Sequence, residues 1–404
     1  MGALRVAVAG AGLGGLCLAQ GLARAGVDVH VYEREATFAG RRQGYRLHLD
    51  ARAGRALGAC LPPELTRLFL ATTSRPSRSF TVLSARLRVL HETRGDPHSD
   101  PDRLETLATS VNRGTLREIL GAGLDDRIHF GRALDGYEQD AAGVTVRFVD
   151  GSAERADVLV GADGVNSAVR RTLLPRAVVA DTGSRIIYGR TPLDDEVRRL
   201  VPPALHDGFT AIVGGPVGLA AGLVEFRRPP PQAAAAIAPG VCLSPIGDYL
   251  MWAVSARHDR FPEPDAAMAR MDAAALHTVA TKAIGAWHPD LRAMLAKAAI
   301  EETSFTRVRS AERVEPWTPS RVTLLGDAIH AMSPARGSGA NTALLDASNL
   351  CDALTGGTDV VAAIGAYEEK MRDYGFAAVE ASREAEASTA GPLWLRLLNR
   401  LPRR

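Results

Sequence analysis

The chain opens with an apolar, β-prone run, Arg5-Val6-Ala7-Val8-Ala9, that stops abruptly at Gly10-Ala11-Gly12-Leu13-Gly14-Gly15. Residues Leu13 to Ala25 favour helix, Gly26 stands where a C-terminal cap belongs, and Val27 to Tyr32 alternate as a second strand. A strand, glycine loop, helix and strand within about 30 residues is how a dinucleotide-binding α/β fold begins. Gly10 permits the tight turn, Gly12 lets the backbone approach a pyrophosphate, and Gly15 lets helix and strand pack closely. Leu13 and Gly14 complete a loop whose free N–H groups and helix dipole present a positive end to phosphates. Glu33 closes the second strand 18 residues beyond Gly15 and is followed by Arg34. A carboxylate there is placed to bond ribose hydroxyls and to repel a 2′-phosphate. This unit alone leaves FAD and NAD undecided.

Two distant stretches share the same texture. Asp157 to Val160 reads as a buried strand feeding Gly161-Ala162-Asp163-Gly164-Val165-Asn166-Ser167, and Val322 to Leu325 feeds Gly326-Asp327-Ala328-Ile329-His330. An Asp after a strand is often only a cap or turn residue. In register with the fingerprint, the two look like parts of one site. Between them, Val111 to Leu124 repeats apolar residues at helical spacing, and Leu134 to Gln139 and Gly143 to Val149 form a β-meander turning at Asp150-Gly151.

From about residue 180 to 310 the texture changes to strand-like runs at 185–190, 209–213, 218–227 and 249–257. A proline-rich loop at Pro229 to Pro231 and an Ala-rich helical stretch over 265–286 interrupt them. The expected fold is α/β: a Rossmann-like FAD-binding domain carrying an inserted, mostly antiparallel substrate sheet, with C-terminal helices. The expected divisions are 1–178, 179–310 and 311–404.

Taken together, the three signatures resemble those of the class A FAD-dependent monooxygenases, the single-component flavoproteins of para-hydroxybenzoate-hydroxylase-like fold. The resemblance covers nearly the whole chain. It implies that Asp163 serves both FAD and NAD(P)H pyrophosphate contacts, aided by Ser167 and Arg170, and that Gly326 and Asp327 hold the ribityl chain of FAD. Pro334 to Asn341 resembles the family's stretch before a helix aimed at the flavin ring, which implies roles for Gly339, Ala340 and Asn341. This chain departs from that pattern at Arg336 and Ser338. Asn112-Arg113-Gly114-Thr115-Leu116-Arg117 is similar to the family's Arg-x-x-Leu motif, which assigns Arg113 to the FAD phosphate and leaves Arg117 to the helix surface. Arg41 and Arg42 lie where relatives place an Arg near flavin or nicotinamide phosphate. His330 is expected to be structural.

The activity implied is hydroxylation of an aromatic or unsaturated small molecule with NADPH or NADH and O2, through a flavin C4a-hydroperoxide. An epoxidase or reductase of the same fold, or a non-catalytic flavin carrier, stays open. No catalytic base is assigned. Tyr188, Arg190, Phe209, Phe226, Trp252 and Pro334 are the candidate substrate contacts.

Composition excludes little else. A formal charge of +2, carried almost entirely by Arg, offers no basic stripe for nucleic acid. Cys17, Cys60, Cys242 and Cys351 have no metal or disulfide spacing, which points to a reducing, cytoplasmic setting without a metal. The first strand starts within a few residues of Met1, so no signal peptide is expected, and no apolar run is long enough to be expected to span a bilayer. The basic, amphipathic tail 393–400 is expected to pack on the nucleotide domain. A monomer or homodimer is expected.

Overall fold

The computed structural model describes residues 4–38, 45–76, 79–357 and 359–389. Arg41, Arg42 and the tail 393–400 therefore lie outside the described residues. The strands, in chain order, are β1 (Arg5–Ala9), β2 (Asp28–Glu33), β3 (Arg46–Asp50), β4 (Ser79–Ser84), β5 (Val89–Arg94), β6 (Ala108–Asn112), β7 (Ile128–Phe130), β8 (Leu134–Asp140) and β9 (Gly143–Phe148). They continue as β10 (Ala153–Ala156), β11 (Val158–Gly161), β12 (Val179–Pro192), β13 (Gly208–Gly214), β14 (Val217–Val224), β15 (Tyr249–Arg257), β16 (Ser304–Ala311) and β17 (Val322–Leu324).

Five of them make a parallel sheet in the order β17-β11-β1-β2-β7. Val158, Leu159 and Val160 are wholly buried, as in a strand covered on both faces. The helix Leu13–Arg24 packs on this sheet and against the helix Gly339–Thr355. The meander β8-β9-β10 is antiparallel, as expected, with a third strand at 153–156.

The larger sheet has seven strands, ordered β16-β12-β15-β14-β13-β4-β5, antiparallel except for β13 beside β4. Residues 79–94 thus join it from outside 179–310. Its two faces follow the period-two rule. Ile187, Leu219, Leu250, Trp252 and Val254 face the helices Asp195–Leu200, Ala273–Ala283 and Pro289–Ala296. Ile186, Val224, Tyr249, Met251 and Ala253 face the other way.

Two local expectations need correction. Val111 and Asn112 belong to β6, and the helix begins at Arg113, because Asn112 caps it by accepting from Thr115 N at 2.9 Å. The prolines 229–231 do not form a loop. Pro229 is an N-cap and Pro230 starts the helix Pro230–Ile237, where a missing N–H costs nothing. The cysteines also sit closer than their spacing suggests. A Cβ on Gly21 would meet Cys351 Sγ at 2.7 Å and Cys60 Sγ at 3.1 Å, and both thiols, with Cys17, are buried and free. Among the described residues no helix is long and apolar enough to cross a membrane, and no cluster fits a metal ion.

The C-terminal helix Val360–Thr389 buries Glu368 beside Thr323 of β17. Burial raises its pKa from 4.5 to about 7; Thr323, Trp317 and Arg372 offset this only in part. The folded state keeps a proton that the unfolded chain releases, so this group's stabilisation is full below pH 4.5 and lost as pH rises to about 7. The loss amounts to roughly 3 kcal/mol at most. Glu368→Gln should therefore gain in melting temperature over the parent as pH rises through that window. A constant difference across it would contradict the assignment.

Candidate flavin and substrate site

The three signatures leave the parallel sheet from one row. Ala9 pairs with Gly161, and Gly161 with Leu324, so β1, β11 and β17 end side by side. Backbone bonds continue the row into the loops: Gly10 N to Tyr32 O at 2.8 Å, Ala162 N to Ala9 O at 2.8 Å, and Leu325 N to Gly161 O at 3.0 Å. Segments some 150 residues apart are thus brought within one peptide of each other at the carboxyl edge, where such sheets bind ligands.

Glycine is required wherever these loops touch. Gly10 has φ +107°, and a Cβ there would lie 2.5 Å from Ala162 O. A Cβ on Gly15 would lie 2.2 Å from Gly10 O, and one on Gly14 would meet Leu325 Cδ1 at 2.7 Å. Gly12 is different: a Cβ there meets nothing within 4 Å. It faces open space at the start of the first helix.

One face of the seven-stranded sheet connects to this edge through β3: Asn341 holds that strand, and its Arg46 guanidinium lies 5.0 Å from the Phe209 ring. Tyr188, Phe209 and Phe226 all sit on this face. Arg190 joins them, stacked 5.8 Å above the Tyr249 ring and paired with Glu302 at 2.8 Å. Trp252 does not. It lies on the opposite face, wholly buried, packed over Gly189, where a Cβ would come 2.1 Å from its ring. Strand alternation puts Trp252 one residue out of step with Tyr249 and Met251, which removes it from the candidate pocket.

Residues 8–58 match the NAD(P)-binding Rossmann-like domain, and 268–382 match the FAD binding domain. A 3-amino-4-hydroxybenzoate 2-monooxygenase of Streptomyces platensis is 31% identical over 376 residues, 88% of this chain and 80% of that one. A solved structure of an FAD-containing monooxygenase from Photorhabdus luminescens is 32% identical with a TM-score of 0.80, covering 96% of this chain and 99% of the other. The chain belongs to the FAD-dependent monooxygenases. It is also 33% identical over 400 residues to a dual O-methyltransferase/FAD-dependent monooxygenase of Cercospora beticola, but spans only 44% of that longer protein.

The residues present fit the cofactor of an FAD-dependent monooxygenase. The space in front of Gly12 is a cradle that a side chain would fill. Asp163 is half-buried; its Oδ2 accepts from Ala168 N at 2.6 Å, while its buried Oδ1 has no partner among the described residues. Asp327 is exposed in the first turn of the helix Asp327–His330, and a Cβ on Gly339 would lie 4.0 Å from its Oδ1. Leu13 is buried under the glycine loop, Arg113 is half-buried with its guanidinium 6.0 Å from the Tyr45 ring, and Arg34 is exposed. Pro334 and Arg336 are exposed, Ser338, Gly339 and Ala340 half-exposed. Asn341 is buried and ties two segments: its Oδ1 accepts from Asp50 N at 2.8 Å and its Nδ2 donates to His48 O at 2.9 Å.

Three placements differ from expectation or exceed it. Arg117 is not on the helix surface. It is buried, donates to Ala11 O at 2.7 Å and Phe38 O at 2.9 Å, and lies 3.6 Å from Glu33. Glu33 itself accepts from Ala11 N at 2.8 Å and Glu35 N at 3.0 Å, so its carboxylate is held against the glycine loop. Arg170 clamps two signatures together, donating to Ala328 O at 2.7 Å and Val165 O at 2.8 Å.

His330 is structural, and its partner is Asp346 of the helix Gly339–Thr355. Both are wholly buried, with His330 Nε2 2.6 Å from Asp346 Oδ2. The same oxygen accepts from Gly326 N at 2.7 Å, and Tyr374 donates to Asp346 Oδ1 at 2.7 Å. Burial pushes the His330 pKa down, but Asp346 pushes it up further, by charge and by hydrogen bond. Asp346 thereby holds the turn, where Gly326 has φ +61°. Removing one partner of a buried pair typically costs about 3–5 kcal/mol. Asp346→Ala should lower the melting temperature by several degrees and weaken FAD binding together with it. An unchanged melting curve would mean that this network does not hold the turn.

Proposed function

We propose that the protein hydroxylates an aromatic or unsaturated small molecule, using FAD, NADPH or NADH, and O2. What supports this reading is the convergence of the glycine loop, Asp163 and Asp327 on one sheet edge, with an aromatic sheet face linked to it through β3. In this reading Gly10, Gly12, Gly14 and Gly15 receive the pyrophosphate, Glu33 faces the adenosine ribose, and Arg113 serves a phosphate. Asp327 takes the ribityl hydroxyls through charge-assisted hydrogen bonds, and Gly339, Ala340 and Asn341 border the ring. Bound FAD supplies the passage of electrons from NAD(P)H to O2 and the delivery of one oxygen atom.

What the chain itself contributes is binding, orientation and exclusion of water. Tyr188, Phe209 and Phe226 offer flat apolar surface to an aromatic ring, and burial holds Tyr188 in its neutral form by raising its pKa. The Streptomyces relative's name specifies an aminohydroxybenzoate substrate. A substituted aromatic ring is the substrate class this sheet face accommodates. The protein acts as a monomer or homodimer in the cytoplasm.

The test is NAD(P)H oxidation by the yellow protein under isotopically labelled O2, with a panel of aromatic compounds. A true substrate should accelerate flavin reduction by about an order of magnitude or more, and its product should carry one labelled oxygen atom. Turnover to a product without label would overturn the hydroxylase reading.

A further inference from the structure

The five-stranded sheet ends at β7, a three-residue edge strand whose one partner strand among the described residues is β2. Three residues is the lower limit for a strand, so backbone bonds alone hold it weakly. Yet it supports the segment that carries Glu33. Just past it, Arg132 N donates to Glu33 O at 2.8 Å and Gly131 N to Glu35 O at 2.9 Å. Phe130 packs edge-on against Phe38, with ring centroids 5.0 Å apart.

Two histidines add the missing hold. His30 of β2 and His129 of β7 meet over the sheet, with His30 Nδ1 3.0 Å from His129 Nε2. His30 Nε2 lies 3.1 Å from Asp28 Oδ1, and Asp28 Oδ2 accepts from Arg5 Nε at 2.7 Å. The hydrogen bond from Arg5 holds the Asp28 carboxyl below its usual range, so it is ionised and can only accept. His30 therefore keeps its proton on Nε2 and offers its Nδ1 lone pair to the Nε2–H of His129. The chain of bonds fixes the tautomers of both rings. Tyr32 stacks on His129 with centroids 5.1 Å apart, and Phe148 of β9 packs on Tyr32 at 4.7 Å, which leaves both histidines half-buried.

The charged groups around the pair stand at its two ends. Arg5 and Asp28 lie at the His30 end. Arg132 and Glu154 of β10 lie at the His129 end, 3.9 Å from each other. Burial raises the Tyr32 pKa to about 12, so it stays neutral. In the turn Asp125–Arg127 both aspartates are exposed, and Arg127 donates to Val27 O at 3.3 Å. Burial lowers the His129 pKa, and His30 and Arg132 lower it further against Glu154. One added proton leaves the N–H···N bond whole, since one ring still accepts. A second sets N–H against N–H between two cations, and the bond is lost. The closed pair thus refuses a proton that two separated histidines would take at about pH 6.5. Its stabilisation is full above that pH and is lost as pH falls below it.

We propose that His30 and His129 form an acid-released latch that holds β7, and through it the Glu33 segment, against β2. In the open form Arg132 N and Gly131 N leave Glu33 and Glu35, and the carboxylate placed for the adenosine ribose loses its support. Acid then disfavours the form that takes FAD. That consequence rests on the role given to Glu33 above; the latch itself does not.

Amide hydrogen exchange over residues 124–136 of the full chain, corrected for the pH dependence of exchange itself, reads the opening directly. In FAD-free protein, opening should rise about tenfold or more between about pH 7 and pH 5, the effect of one extra bound proton. His129→Gln can still donate to His30 but takes no proton, so its rise should be absent. His30→Gln, which can accept from His129 and donate to Asp28, should behave alike. Yellow colour on adding FAD verifies that each variant is folded. Saturating FAD should slow the opening of the parent at both pH values. Opening that ignores pH, or that rises equally in both variants, overturns the latch and leaves the role of Glu33 standing. A pH-dependent opening, flat in both variants, that FAD does not slow supports the latch and overturns the placement of Glu33 at the ribose.

Discussion

The structure depends on one row of backbone pairing. Ala9, Gly161 and Leu324 stand side by side in three parallel strands, and the loops that follow are stitched by hydrogen bonds from Ala162 to Ala9 and from Leu325 to Gly161. At Gly10 and Gly15 the close contact is backbone against backbone, so those residues must be glycine. A methyl group at Gly10 or Gly15 would come within 2.5 Å of a carbonyl oxygen. Contacts below about 3 Å cannot be absorbed by rotating a side chain, because the obstacle is main chain. The edge is thus assembled by sterics before any ligand chemistry is considered.

Around that row the chain spends its buried polar groups on holding loops in place. Asp346 fixes the Gly326 turn, Arg170 ties that turn to the second signature, and the Arg117–Glu33 pair grips Ala11 from both sides. Asn341 does the same for β3, whose Arg46 reaches the Phe209 ring of the large sheet. All of them but Glu33 come from helices, and hydrogen bonds offset the cost of their burial. The seven-stranded sheet then needs only one of its faces for function. Its other face is closed by helices and by Trp252 and Trp287.

The nucleotide edge was legible because its chemistry is local. A glycine loop between strand and helix, or an Asp one residue beyond a buried strand, is visible in a short window of sequence. The first strand and helix, the meander and β15 follow from periodicity alone. What stayed hidden depends on partners distant in sequence. Nothing near Arg117 indicates that Glu33 will bury it, and nothing near His330 names Asp346. Residues 79–94 are strand-like but gave no reason to be assigned to the distant sheet. Trp252 was misplaced because a nine-residue strand buried on both faces hides which alternate residues face which side. Arg46 sits in a strand too short and too polar to stand out.

The most direct test of this account uses Gly12. Its backbone φ of −77° suits any residue, and a Cβ there meets nothing within 4 Å, so a small branched side chain is the mildest way to fill the space in front of it. What it would fill is the space that the cofactor's pyrophosphate is held to occupy. Apoprotein of Gly12→Val, titrated with FAD beside the parent, should melt at the parent's temperature yet fail to bind FAD. Normal FAD affinity in this variant would contradict the assembly of the site at this sheet edge.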